Sequence, residues 1–237
     1  MMKDTADADG LETHRSYIPK WEINSEGIWD ARFVARVFQH ASDTLREAVA
    51  PGVAARHVHR RLRFIAPMFG GEPVRIGSAR LRSGDDVVHL LSQARTGNLC
   101  AVALDRVGYD ISGLPVVDTP EAAPSPFADD EEIGTDGTVT HLSVLRPAAF
   151  DHLGVLLSDA VCACVVEAMP HILVARGAGA APAPITELHV SLTGEGRSGD
   201  VARLVSQGDP GRIRHVLDCP TSGRVYARAV TVHTSAS

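Results

Sequence analysis

The stretch RPAAFDHLGVLLSDAVCACVVEAMP, residues 146–170, sets a carboxylate and an imidazole, Asp151 and His152, directly ahead of a long apolar run. A carboxylate there can act as a general base or a nucleophile, and an adjacent imidazole can share its proton. Backbone N–H groups where the following helix should begin, near Gly154 and Val155, would face the same region and could hold an oxyanion. Asp159, in LLSDAV, is a second carboxylate within the expected helix. Each of these residues also has a plainer use: Asp151 can cap the helix, His152 can cap or lie on the surface, and Asp159 can be a polar position on a helix face.

Other groups narrow the chemistry. The four cysteines, Cys100, Cys162, Cys164 and Cys219, lack metal-ligand spacing and read as small buried hydrophobes. Gly70-Gly71 is a turn with no phosphate-loop lysine. No metal and no cofactor are therefore expected. In RHVHRRLR, residues 56–63, His57, His59, Arg61 and Arg63 share one strand face, opposite Val58, Leu62 and Phe64. That basic face could hold the phosphates of a nucleotide-bearing carrier, dock an acidic protein, or simply be solvated and guard against edge pairing. A formal net charge of -6 argues against nucleic acid as a partner. No run reaches the eighteen or so apolar residues of a membrane span. The polar start, MMKDTADADGLET, reads as a disordered tail rather than a targeting segment, so a cytoplasmic location is expected.

The elements that must position these groups occur twice. A strand-like run, Ser16 to Ile23, leads through Gly27 into a helical pattern, IWDARFVARVFQHASDTLREAV, which stops at Pro51-Gly52. Strand-like stretches follow at about 54–66, 73–82, 86–96 and 99–107. The second copy runs from His141 to Leu145, through Gly154 into a helix expected to end between Glu167 and Pro170. It continues with strand-like stretches near 185–193, 200–207, 212–219 and 224–233. Gly27 and Gly154 lie 127 positions apart, as do Gly84 and Gly211, and Asn24 is the counterpart of Asp151. Asn24 can cap, like Asp151, and is a candidate for the same site. Trp29 and Phe33 are expected in the core or against a ligand, and His40 and Glu167 are matched helix positions. Residues 115–137, rich in Pro, Asp and Glu, read as a linker. The expected organisation is a tail over 1–13, repeats over 14–114 and 138–237, and the linker between them.

This order, with FIAPMFGGEPVRIGSARLR at residues 64–82, resembles the hotdog superfamily in its double-hotdog arrangement. The resemblance implies an α+β fold in which two helix-wrapped antiparallel sheets join into one continuous sheet. It also implies acyl thioesters, on coenzyme A or acyl carrier protein, as the substrate class. The 151–170 stretch is similar to acyl-carrier-protein thioesterases, which place an acid at the helix entrance, Asn and His at alternate positions after it, and Glu then Pro near the helix end. Here Asp151, Glu167 and Pro170 fall at the matching positions, while Leu153 and Val155 stand where Asn and His are expected.

On this resemblance the protein is a thioesterase for an acyl or polyketide chain. Asp151 would be base or nucleophile, His152 its polar partner and Asn24 a lesser catalytic candidate; Gly154, Val155, Trp29 and Asp159 would contact substrate. Two alternatives stay open. PAAFD at 147–151 also resembles the second-hotdog motif of polyketide dehydratases, though the matching His-x3-Gly-x4-Pro pattern is absent from the first copy. A non-catalytic binder of acyl or polyketide ligands would account for Leu153 and Val155. The unit is expected as a monomer or as a homodimer of double hotdogs.

Overall fold

The computed structural model describes residues 10–53, 57–125, 137–151, 154–175, 183–193, 195–209 and 211–234. The chain divides into two compact units. One is the chain up to Arg56 with Leu62–Pro124, and the other is His57–Arg61 with Ser125 onwards.

In the first unit, β1 (Leu11–Tyr17) leads through a single 3-10 turn, Lys20–Glu22, to helix α1 (Ala31–Val49). Then come β2 (His57–Phe64), of which His57–Arg61 group with the other unit, β3 (Pro73–Leu81), β4 (Asp86–Gln93), β5 (Leu99–Val107) and the two-residue β6 (Val116–Val117). The second unit repeats the series as β7 (Thr138–Val144), a 3-10 turn at Pro147–Ala149, α2 (Ser158–Ala175), β8 (Ile185–Leu192), β9 (Val201–Asp209), β10 (Arg212–Asp218) and β11 (Val225–His233). Read from the edge, the strand orders are β1-β3-β4-β5-β2 and β7-β9-β10-β11-β8, the same order twice. Each unit is an antiparallel sheet wrapped about one long helix, the hotdog architecture. The repeat is close: α1 and α2 begin 127 positions apart, as do β1 and β7, and the later strands keep their spacing within one residue of that. Even the edge-strand bulges match, lying between Glu12 and His14 in β1 and between Val139 and His141 in β7.

Helix α1 forms because one side carries Val34, Val37, Phe38, Ala41 and Leu45, all buried, while the other is polar. Each large side chain among them stabilises the packing by roughly 1.5–3 kcal/mol. Asp30 caps the helix by accepting from the Arg32 N–H at 2.9 Å. Asp30 thus stands at the helix boundary, not within the helix. Helix α2 is apolar on more of its circumference and buries Val161, Val165, Ala168, Met169 and Ile172. It does not stop at Pro170 but carries that residue inside and runs to Ala175. A proline in a helix interior costs about 3 kcal/mol, and the buried side chains on both sides of it offset that cost.

Two further boundaries differ from the sequence expectation. The first strand is Leu11–Tyr17 rather than the run from Ser16, because a bulge interrupts its alternation and hides the period. It therefore starts within the stretch read as tail. Residues 115–124 are not an unattached linker: Val116 and Val117 pair in parallel with Arg80 and Leu81. Val117 and Ala123 also pack on the buried cluster Ala79, Leu81, Val88, Val102 and Leu104 on the sheet face away from α1. A sheet face that apolar must be covered, and this segment covers it despite its polar composition.

Because the cap on α1 rests on a single short side chain, Asp30→Ala is expected to destabilise the protein by about 1 kcal/mol, seen as a lower urea midpoint. Asp30→Asn, which keeps an acceptor, is expected to shift it far less.

Candidate active site

The loop ahead of each helix is built the same way. In the first unit Ile23 and Trp29 form an isolated bridge. The Asn24 N–H donates to the Ile28 carbonyl at 2.8 Å, and the Gly27 N–H donates to the Asn24 carbonyl at 3.0 Å. Asn24 Oδ1 closes the turn by accepting from the N–H groups of Glu26 at 2.9 Å and Ile28 at 3.0 Å. In the second unit Phe150 and Leu156 form the matching bridge. The Asp151 N–H donates to Val155 at 2.9 Å, Gly154 donates to the Asp151 carbonyl at 3.0 Å, and Asp151 Oδ1 accepts from the Val155 N–H at 2.8 Å. Both turns need a backbone that L side chains rarely adopt, and glycine supplies it at φ +78° in Gly27 and +79° in Gly154.

This geometry corrects several expectations. Asp151 is not the cap of α2, which begins at Ser158; it staples the turn before the helix. Gly154 and Val155 are not in the first turn of the helix, and their N–H groups are already engaged by Asp151. An oxyanion hole from that pair is therefore not formed. Asn24 performs the same turn closure, which accounts for it without chemistry. Trp29 is a core residue, 4% exposed, whose indole N–H donates to Glu22 Oε2 at 3.0 Å. Glu22 in turn is ion-paired with Arg36 on α1, so Trp29 pins the loop to the helix rather than presenting a face to ligand. The counterparts of Glu22, Trp29 and Arg36 are Ala149, Leu156 and Ala163, which makes the second loop's pin wholly apolar. Asp159 stands in the first turn of α2, where a negative charge complements the helix dipole. His152 lies outside the described residues. His40 and Glu167 are both exposed. The basic strand face is engaged: Arg61 Nη1 donates to the Ser125 carbonyl at 3.4 Å, and Arg63 Nη1 to Ala123 at 3.1 Å.

A second cluster was not foreseen. Five side chains between α1 and its sheet form a buried chain. Thr13 Oγ1 lies 2.6 Å from Ser78 Oγ, which lies 2.6 Å from His89 Nδ1. His89 Nε2 lies 3.0 Å from Ser42 Oγ, and Ser42 donates to Asp105 Oδ2 at 2.5 Å. With the proton of His89 on Nε2, one directed series satisfies every group: Thr13 to Ser78 to Nδ1, then Nε2–H to Ser42 to Asp105. Serine, histidine and aspartate invite comparison with a hydrolytic triad, and Ser78 and Asp105 do stand on opposite ring nitrogens of His89, at 2.6 and 3.2 Å. Burial argues against that role: Ser42, Ser78, His89 and Asp105 are at most 1% exposed, out of reach of a substrate. The second unit repeats the chain at matched positions. Thr140 Oγ1 is 3.3 Å from Ser206 Oγ, Ser206 is 2.9 Å from His215 Nδ1, and His215 Nε2 is 3.2 Å from Thr231 Oγ1. Met169 takes the place of Ser42, with its sulfur 4.0 Å from Thr231. The only sequence signal for this pair of chains is polar residues recurring at helix-facing strand positions at the repeat spacing.

The cysteines are not equivalent. Hydrogen bonds from the hydroxyls of Ser222 and Thr221, together with their backbone N–H groups, bring the Cys219 thiol down to about 6. Burial, reinforced by Glu167, pushes Cys164 up to about 11.

No protein-family profile and no curated protein matches the chain. Solved structures do. An acyl-ACP thioesterase from Bacteroides thetaiotaomicron aligns with TM-score 0.69 at 11% identity, covering 92% of this chain and 96% of that one. The 12:0-ACP thioesterase from Umbellularia californica aligns at 0.66 and 14% identity, covering 92% of both. A protein described as an oleoyl thioesterase from Lactobacillus plantarum aligns at 0.66 and 11% identity, covering 95% and 96%. At these identities the likeness shows the fold: the chain has the hotdog fold, similar over nearly its whole length to that of acyl-ACP thioesterases.

Two outcomes follow. Ser42→Ala is expected to destabilise the protein by about 1–3 kcal/mol, because it removes a buried hydroxyl that bonds both the His89 imidazole and the Asp105 carboxylate. A serine-directed fluorophosphonate should leave Ser42 unlabelled in the folded wild type. For the thiols, iodoacetamide modification of Cys219 should rise with a midpoint near pH 6 as thiolate forms, with Cys164 untouched at pH 7; peptide mass spectrometry reads both.

Proposed function

We propose that the protein hydrolyses acyl thioesters carried on coenzyme A or acyl carrier protein, with the Asp151 carboxylate as base or nucleophile. One observation carries this reading. The turn at 24–28 is closed by an amide oxygen and the turn at 151–155 by a carboxylate oxygen, through the same bond to the residue four positions on. Turn closure therefore requires an acceptor but not a charge. A carboxylate at 151 supplies a group suited to acid-base chemistry that closure of the turn does not require, beside Phe150, Val155 and Leu156.

As a base, Asp151 takes a proton from a water whose oxygen attacks the thioester carbonyl. Collapse of the tetrahedral adduct breaks the C–S bond, and the proton passes to the departing thiolate, leaving a free acid and a thiol. As a nucleophile, Asp151 displaces the thiolate to form an anhydride that water then cleaves. His152, adjacent in sequence, is the residue suited to share the proton, and Asp159 stands in the first turn of α2. The substrate class rests on the fold likeness to acyl-ACP thioesterases.

A second reading, binding of an acyl or polyketide ligand without turnover, is favoured by Leu153 and Val155, which replace the Asn and His of the resembled motif.

Asp151→Asn separates the two, since Asn24 demonstrates that an amide closes this turn. Thiol release from a panel of acyl-CoA and acyl-carrier thioesters is expected to fall at least about 100-fold with the melting temperature unchanged. Hydrolysis by Asp151→Asn at the wild-type rate would overturn the assignment. Thermal stabilisation of the wild type by acyl thioesters with no thiol released would establish the binding reading.

A further inference from the structure

The two sheet edges formed by β1 and β7 are counterparts in the repeat but carry opposite surfaces. On β1 the outward-facing row is Glu12, Arg15 and Tyr17, and Arg15 donates to both carboxylate oxygens of Glu12, at 2.7 and 2.6 Å. On β7 the same positions are Val139, Leu142 and Val144, which are 55%, 66% and 50% exposed. The matched bulge keeps all three on one face: Val139 stands opposite Val205, Leu142 opposite Arg203, and Val144 opposite Val201, itself 40% exposed. Among the described residues β7 pairs with β9 alone, so its other side presents a row of backbone N–H and C=O groups. An edge strand with a charged pair is guarded against pairing with another chain, and one that is apolar and uncharged is a template for it.

We propose that β7 is a self-association surface, pairing antiparallel with β7 of a second copy about a two-fold axis. A second copy fits this edge better than a different partner. Apart from His141 the strand TVTHLSV carries no titratable group, so there is no charge to select a complementary protein. The bulge makes Val139 and Val144 equidistant from Leu142 along the ladder, so antiparallel self-pairing centred on Leu142 sets Leu142 opposite Leu142 and Val144 opposite Val139. Size sets the strength. A seven-residue pairing is about 24 Å long and buries less than the roughly 800 Å² per partner of a stable complex. The dimer is therefore weak and reversible. The β1 edge stays free of such pairing because its Glu12–Arg15 pair would have to be desolvated.

The test is sedimentation of the intact protein from about 1 to 200 µM. The wild type is expected to shift from monomer to dimer within that range, whereas V139E/L142R, which copies the β1 pair onto β7, stays monomeric with an unchanged circular dichroism spectrum. Should the double variant fold poorly, Leu142→Lys alone is expected to weaken association at least about tenfold. A wild type that remains monomeric at 200 µM, or a folded β7 variant that dimerises as the wild type does, would overturn the proposal.

Discussion

A single hydrogen bond, donated by a backbone N–H to the side-chain oxygen four residues earlier, sets the geometry of each loop that leads into a helix. Asn24 makes it to Ile28 and Asp151 makes it to Val155, at 3.0 and 2.8 Å. The bond turns the chain back on itself over a glycine with positive φ and delivers the next residues into the bridge before the helix. Everything proposed for Asp151 depends on it, because it fixes where the carboxylate stands. A bond of this kind contributes about 1 kcal/mol net when the acceptor is neutral and somewhat more when it is charged. That difference is too small to explain a carboxylate on stability grounds alone.

The duplicated halves have diverged where polar groups are buried. The first unit holds its loop with a buried Glu22–Trp29–Arg36 pin and crosses its core with a chain ending in Ser42 and Asp105. The second replaces the pin with alanines and leucine, and the chain's end with Thr231 and Met169. The ionisable groups of that pin and of the chain's end thus have no ionisable counterpart in the second unit, whereas its loop carries Asp151 where the first has Asn24. Buried polar chains are stabilising only when each member is satisfied, and both chains meet that condition by simple wiring.

Much of the fold was legible in the sequence. The strands at 73–81, 99–107 and 185–192 and both helices follow from alternation and 3.6-residue spacing, and the turns at Gly27 and Gly154 follow from their identical offset. What failed did so for local reasons. The bulge in β1 broke the alternation that would have marked Leu11–Tyr17 as a strand. Local propensity predicts a helix stop at Pro170, and burial of Ala168, Met169 and Ile172 overrides it. The polar composition of 115–124 hid the two apolar side chains, Val117 and Ala123, that seat it on the sheet. At the site, residue types pointed to Asp151, but spacing could not tell a helix cap from a turn staple seven residues upstream. The His89 and His215 chains were invisible because their members are distant in sequence and meet only through strand register.

The most direct test of the central claim is a structure of the protein bound to a non-hydrolysable acyl thioether analogue. The account predicts the analogue's carbonyl within reach of the Asp151 carboxylate, directly or through one water at roughly 3 Å, with the turn at 151–155 intact. An analogue seated with its carbonyl away from Asp151, at any other part of the molecule, would contradict it.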